Sequence, residues 1–511
     1  MKYLFFIFAM LPALNAFGQW CDEFDGLITK GDSYLSSTNP NYQEAINAYT
    51  AAILACAGRA GEARQRISKM VNDINALKDQ AVDAERDAEA QREKAEEALA
   101  NLRFKNLSIF RSSAEKGREN IYTLDHSKAL EKMGVAVEID VDSDLKKEKL
   151  TEPVAELLFF FAEGGRRPAL ARNAAALLLR LEPEDDLAQT LQQCLAESWE
   201  TRAQFDPLLE KLPYLEKFQE RYYPKMVPVP LGADRIFKMG SPESEWKRQK
   251  DEKLHEVKLS PYQISDAPIT FYQFALFSEA IDRDLASQTP YWGRFGDHPM
   301  VSVSWNEAVE YANWLNGQKG RPPCYTIQKE KNSGIDNRVR LDSLKWKVDW
   351  DTTAKGFRLP TEAEWELAAR GGVGAPRTLF AGSDTLDEVG WFWKNSGDTL
   401  LYGNWGMNRI YNNNGRTHAV KQKKDNGIGI YDMSGNVYEW CWDWYDADYY
   451  NKCYKKGVEL NPRGAESSSY GRVIRGGSWF NKAEDCRTAY RGDFSPDVRY
   501  NPLGFRLVFV P

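Results

Sequence analysis

Arg475-Gly476-Gly477-Ser478-Trp479 and, a little further on, Leu503-Gly504-Phe505-Arg506 form the stretch on which the fold turns. Gly476 and Gly477 carry no Cβ, so the backbone can turn tightly there or admit a close neighbour. Trp479 follows at once with a large apolar surface. Arg487, Arg491, Arg499 and Arg506 then supply more guanidinium than a loop needs for solubility. Such forks suit paired bonds to carboxylates and carbonyls. With little helical period, the segment reads as loops and short strands held by polar networks. Trp479, Asn481, Arg487 and Arg491 are its candidates for lining a binding groove.

Working upstream, Ser304-Trp305-Asn306-Glu307 and Thr361-Glu362-Ala363-Glu364 are capping boxes, each opening an amphipathic helix. Pro268-Ile269-Thr270 leads into another helix carrying Phe271, Phe274 and Phe277. Short alternating runs at 227–231, 237–241, 255–259 and 298–303 read as strands, the first an edge strand because of its prolines. After Gly372 little helical pattern is left. A few helices set against many short strands and loops is an α+β pattern.

The chain has 511 residues, enough for two or three domains with real cores, and most of its 16 tryptophans lie after Tyr291. That asymmetry separates a Trp-rich C-terminal domain from a different N-terminal half. A net charge of −7 argues against a general nucleic-acid surface. The four histidines show no His-x-x-x-His spacing and the seven cysteines no Cys-x-x-Cys, which speaks against zinc. An odd cysteine count leaves at least one thiol unpaired; Cys21 with Cys56 and Cys441 with Cys453 are pairings to test.

Residues 1–18 read as a secretory signal: Lys2, an apolar run, then Ala16 and Gly18. The chain is therefore expected to be exported, periplasmic or secreted. A lipoprotein reading at Cys21 is disfavoured by Gln19 and Trp20 before it. No later run is long and apolar enough to span a membrane. Residues 19–60 follow the small/large pattern of one tetratricopeptide-like helix pair, which cannot bury its face alone. Residues 61–105 carry a heptad seam through Ile67, Met70, Ile74, Leu77 and later alanines to Leu102. It is a long helix or coiled coil and a possible self-association surface. Residues 106–225 are a further helical region, of low signal up to 150, with a hairpin turn at Gly164-Gly165. The pattern changes at Met226, so 226–511 is set apart as the C-terminal domain.

Within 226–511, three motifs stand in order: Gly356-Phe357-Arg358-Leu359-Pro360-Thr361-Glu362, Gly429-Ile430-Tyr431-Asp432-Met433-Ser434-Gly435-Asn436-Val437-Tyr438-Glu439-Trp440, and Arg475 to Trp479 with Gly504-Phe505-Arg506. Together they resemble the sulfatase-modifying-factor, or formylglycine-generating enzyme, family. The resemblance implies a variant of the C-type-lectin fold. It implies, in the oxidases, two cysteines shortly after the Gly-Gly-Ser-aromatic motif that hold copper(I) for oxygen chemistry on a substrate cysteine. Here Asn481 stands where the first of them is expected, and Cys486 is the only thiol nearby. The resemblance also implies calcium. Asp432, Glu439 and the carbonyls of Gly435 and Val437 match one site, a mixed oxygen set that suits a hard cation. Asn404, Asn412 and the carbonyls of Trp405 and Asn414 match a weaker second site.

Two readings of function follow. The first is an exported binding or scaffold module for a protein or peptide partner, lacking the oxidase cysteine pair. The second is a copper-dependent oxidase of protein cysteines, in which Cys486 and Ser478 would carry the site. A third, an oxygenase using another site, has no residues to name.

Overall fold

The computed structural model describes residues 84–181, 185–330 and 337–511, together with Ser33, Glu44, Asn47 and Ala48, which are helical. The expected leader, most of the helix pair, Cys21, Cys56 and the seam from Ile67 to Ala81 lie outside the described residues. The chain divides into two compact units, residues 1–107 and 108–511.

The helices with described bounds that precede the first strand are α1 Ala84–Tyr122, α2 His126–Glu138, α3 Ser143–Gly164, α4 Pro168–Leu179, α5 Asp185–Ala196, α6 Arg202–Leu209 and α7 Leu215–Tyr222. The C-terminal end of the seam lies on α1, where Leu102 is 45% exposed. Residues 105–150, nearly silent in sequence, hold the end of α1, all of α2 and the start of α3. Their starts are set by Asp125 and Asp142, whose carboxylates accept from the Lys128 amide and from the Asp144 and Leu145 amides. The hairpin turn is where the spacing places it: Gly165 caps α3 with φ +71°.

The second unit continues through β1 Met226–Pro228, β2 Ile236–Met239, β3 His255–Lys258, β4 Gln263–Ser265, α8 Phe271–Ala280, α9 Trp305–Gln318, β5 Tyr325–Gln328, β6 Lys347–Trp350, β7 Gly356–Arg358 and α10 Glu362–Ala369. Then come α11 Leu386–Val389, α12 Met407–Asn412, β8 Tyr438–Trp444, α13 Tyr449–Lys456, β9 Glu459–Leu460, β10 Arg472–Arg475, β11 Gly492–Phe494, β12 Leu503–Phe505 and β13 Val508–Val510. The strands form sheets in the orders β1-β4-β13-β7, β11-β10-β8-β12, β2-β3-β9 and β5-β6. The fold is α+β. Both capping boxes close as read: Ser304 and Thr361 accept from the amides of Glu307 and Glu364, whose side chains return the bond.

One expected strand is absent. Residues 298–303 form no ladder: Pro299 makes a lone antiparallel bridge with Thr270, Ser302 is left-handed (φ +55°), and the backbone groups find separate partners. Met300 N donates to Ile269 O, Ser302 N to Tyr500 O, and the Trp440 indole donates to Val303 O.

The change of pattern at Met226 marks a change of architecture inside one compact unit. Gly164 leaves no room for a side chain, since a Cβ there would lie 2.4 Å from Glu279 Cγ on α8. Arg167 on the α4 side donates to the same carboxylate (Nε to Oε1, 2.7 Å). Tyr122 O accepts from Gly296 N at 2.7 Å, and Arg221 lies 5.2 Å over the Tyr272 ring.

Candidate functional site

β10 lies inside its sheet between β11 and β8, and the chain leaves it through Gly476 (φ +95°) and Gly477 (φ +70°). Both need glycine for conformation and for space. A Cβ on Gly476 would sit 3.2 Å from the Trp365 ring, and one on Gly477 2.9 Å from Asp485 O. The turn delivers Trp479 into an apolar cluster with Phe380, Phe392, Trp393, Ile410 and Phe480.

The arginines do not line a groove. Arg475, Arg487, Arg491 and Arg506 are buried, as is Trp479. Arg491 grips both oxygens of Glu362 (2.7 and 2.8 Å), and Arg487 grips Glu252 (2.5 and 2.9 Å) and Glu245 (2.7 Å). Arg475 donates to Glu366 at 2.6 Å and to Thr488 O at 3.0 Å. Assigning Trp479, Arg487 and Arg491 to a groove is therefore corrected. Water is excluded from these guanidiniums, and each needs a carboxylate to offset its desolvation. Their partners Glu362 and Glu366 went unread in the sequence. The signal was there: two acids at i and i+4 flank Trp365 on a helix with no other face to give water.

Asn481 stands at the centre of a polar cluster. Its Oδ1 accepts from the Ser478 hydroxyl, and its Nδ2 donates to Tyr438 OH (2.9 Å) and Asp485 Oδ2 (3.2 Å). Burial pushes the Asp485 carboxyl above its ordinary range. Cys486 is a buried free thiol. Burial, reinforced by the Asp485 charge, holds its proton on well above the usual thiol range.

Beside this cluster lies an aromatic face. Tyr291 packs edge-on to Trp292 (4.7 Å) and Tyr411 (5.5 Å), and Trp292 edge-on to Trp479 (5.1 Å). Tyr291 is 51% exposed and Tyr411 37% exposed, while the Trp292 and Trp479 indole N–H groups have no hydrogen-bond partner.

With this geometry in place, comparison with known proteins assigns the family. A model of the sulfatase-modifying factor enzyme 1-like domain matches residues 213–510. The chain belongs to the sulfatase-modifying-factor family. It is similar to chaperone protein LppX of Paenibacillus barcinonensis, 34% identical over 49% of this chain and 85% of that protein. It is similar to the formylglycine-generating enzyme of Streptomyces coelicolor, 31% identical over 50% of this chain and 79% of that protein. Among solved structures it is similar to Treponema denticola variable protein 1, with 30% identity, a TM-score of 0.43 and coverage of 56% of this chain and 95% of that one.

The copper(I) pair of the family's oxidases does not fit the residues present. Asn481 fills the first position with an amide already committed to three side chains. Among the described residues no group of three or more His, Cys, Asp and Glu stands together to hold a metal. The suggested Cys441–Cys453 bridge is also corrected, since both are free thiols. Cys441 is buried on β8 in the main core, and Cys453 on α13 approaches Glu459 at 3.5 Å.

For calcium, the two residue sets are engaged as follows. Glu439 accepts both prongs of Arg506 (2.6 and 2.8 Å) and the Trp365 indole N–H (2.6 Å). Asp432 accepts from Lys421 N (2.8 Å) and Asn436 Nδ2 (3.1 Å), and burial pushes its carboxyl up to about 6. Gly435 O accepts from Val437 N at 2.8 Å. This set fits poorly a cation held by Glu439, because a guanidinium already supplies the positive charge. In the second set, Asn404 O accepts from Arg409 (2.6 Å) and Asn414 O from Arg416 (2.9 Å). Trp405 donates its indole N–H to Phe480 O (2.8 Å), and Asn412 ends α12.

No helix among the described residues is long and apolar enough to cross a membrane.

Proposed function

We propose that this protein is a member of the family without oxidase activity, an exported module that binds a protein or peptide partner on the aromatic face around Tyr291, Trp292 and Tyr411. One observation carries the reading: Asn481, at the position of the first oxidase cysteine, is locked to Ser478, Tyr438 and Asp485. Two thiolates select copper(I); an amide oxygen and a buried protonated thiol do not. The exposed rings of Tyr291 and Tyr411 beside the cluster offer apolar area and a polar rim to a partner. The relative named a chaperone supports protein binding, and the sequence of residues 1–18 supports export.

The relative named formylglycine-generating enzyme favours a second reading, oxidation of a protein cysteine through Cys486 and Ser478. Anaerobic copper(I) titration and oxygen uptake with a cysteine-containing peptide separate the two. The binding reading expects neither stoichiometric copper nor peptide-dependent oxygen uptake. One copper per chain together with peptide-dependent uptake overturns it.

A further inference from the structure

Away from the Asn481 cluster and the aromatic face, residues of 370–382 and 422–431 line an open cavity of about 680 Å³. Among the described residues lining it, three cationic side chains, Arg370, Lys423 and Lys424, face a single carboxylate, Asp425. That carboxylate is spent on the loop: its Oδ2 accepts the amides of Gly427 (3.1 Å) and Gly429 (2.7 Å). Asn426 pins the same loop by donating to Ala368 O at 2.6 Å. Gly382 packs directly on that loop, since a Cβ there would lie 2.7 Å from Asn426 Cα. The cavity is preformed, and a ligand need not order its walls.

The cations are positioned but not saturated. The Arg370 side chain is only 8% exposed; it donates to Glu366 from Nε (2.8 Å) and Nη2 (2.7 Å), and its Nη1 is buried without a partner. Lys423 Nζ donates to Asp387 O (2.7 Å) and lies 4.1 Å over the Trp391 ring, which leaves the charge without a carboxylate in contact. Lys424 reaches Glu388 at 3.3 Å in an exposed pair of little net worth. A carbonyl and a ring face orient an ammonium without neutralising it.

The geometry points to a phosphate-class oxyanion as the ligand of this cavity, either free phosphate or the phosphate group of a small ester, held by Lys423 and Lys424 beside Arg370. Charge-assisted bonds from ammonium and guanidinium to phosphate oxygens are the chemistry this wall offers.

Isothermal calorimetry on the full chain tests it, with inorganic phosphate, pyrophosphate and glycerol 3-phosphate as probes at constant ionic strength. Saturable binding of at least one probe at one site per chain is expected, and the preferred probe tells free ion from ester. Lys423→Gln with Lys424→Gln should weaken it by about tenfold or more. Lys455→Gln with Lys456→Gln makes the same charge change on α13 and should leave it intact. No saturable heat with any probe overturns the proposal, as does equal affinity in both double variants. Circular dichroism of each variant separates lost binding from lost fold.

Discussion

Gly477 and Cys486 are packed against each other across the turn that follows β10: a Cβ on Gly477 would lie 2.5 Å from the Cys486 Sγ. The contact ties the left-handed turn to the segment whose chemistry separates this chain from the oxidases. Gly477→Ala is expected to destabilise by roughly 1–3 kcal/mol from backbone strain, with the overlap adding to it. Cys486→Ala removes the Sγ overlap, but neither the strain nor the 2.9 Å approaches to Asp485 O and Cys486 Cα. The double variant should therefore be more stable than Gly477→Ala alone in denaturant unfolding. Equal stability would mean that the thiol moves aside freely.

The buried arginines act as struts, and their loss should read as structural. Glu362→Gln leaves Arg491 with no charged partner closer than Asp251 at 3.7 Å. The expected cost is about 3–5 kcal/mol. Arg491→Met in the same chain should recover part of it, because the uncompensated charge is gone. Denaturant midpoints of the two single variants and the double measure the coupling. Simple additivity would show that the pair does not act as a unit.

His126 sets a pH dependence. It is buried at the start of α2, stacked on Phe160 at 3.7 Å and 3.3 Å from Tyr222 OH. Burial, aided by the Arg167 charge, lowers its pKa to about 3. The unfolded chain, with an ordinary histidine near 6.5, takes up the proton first as pH falls. This contribution to stability is thus complete above about 6.5 and is lost between there and about 3, at most about 1.4 kcal/mol per pH unit. His298, lowered to about 3 by burial and by His418, adds a loss of the same sign. His126→Gln should flatten the fall in stability between pH 6.5 and 5 relative to wild type. An unchanged slope would place the acid sensitivity elsewhere.

What the sequence showed was local and what it hid was distant. The capping boxes at Ser304 and Thr361 and the turn at Gly165 are settled by neighbours within four residues, and all three are where they were read. The partners of the arginines are not local: Arg475 meets Glu366 across 109 positions, and Arg487 meets Glu252 across 235. Nothing near an arginine in sequence tells a strut from a groove. Residues 298–303 misled for a related reason. Alternation reports burial on one face, and this stretch is buried with only a single bridge, Pro299 to Thr270, before Ser302 turns left-handed (φ +55°). Asn481 was legible as a missing thiol, but its ties to Tyr438 and Asp485 needed the fold.

The engagement of Glu439 makes the calcium question decidable. Its carboxylate lies between Arg506 and the Trp365 indole, both buried, so removing its charge strands a guanidinium. Glu439→Gln should therefore lower the melting temperature by the same amount in excess EDTA and in millimolar calcium. The reason is electrostatic. A cation brought to Glu439 would stand beside the buried Arg506 guanidinium, and the repulsion would act at low dielectric. Arg506→Met should match it in EDTA, since each variant breaks the same pair. A melting temperature that calcium raises in wild type and not in Glu439→Gln would return the carboxylate to a metal site, with Arg506 as a second partner that yields to the ion.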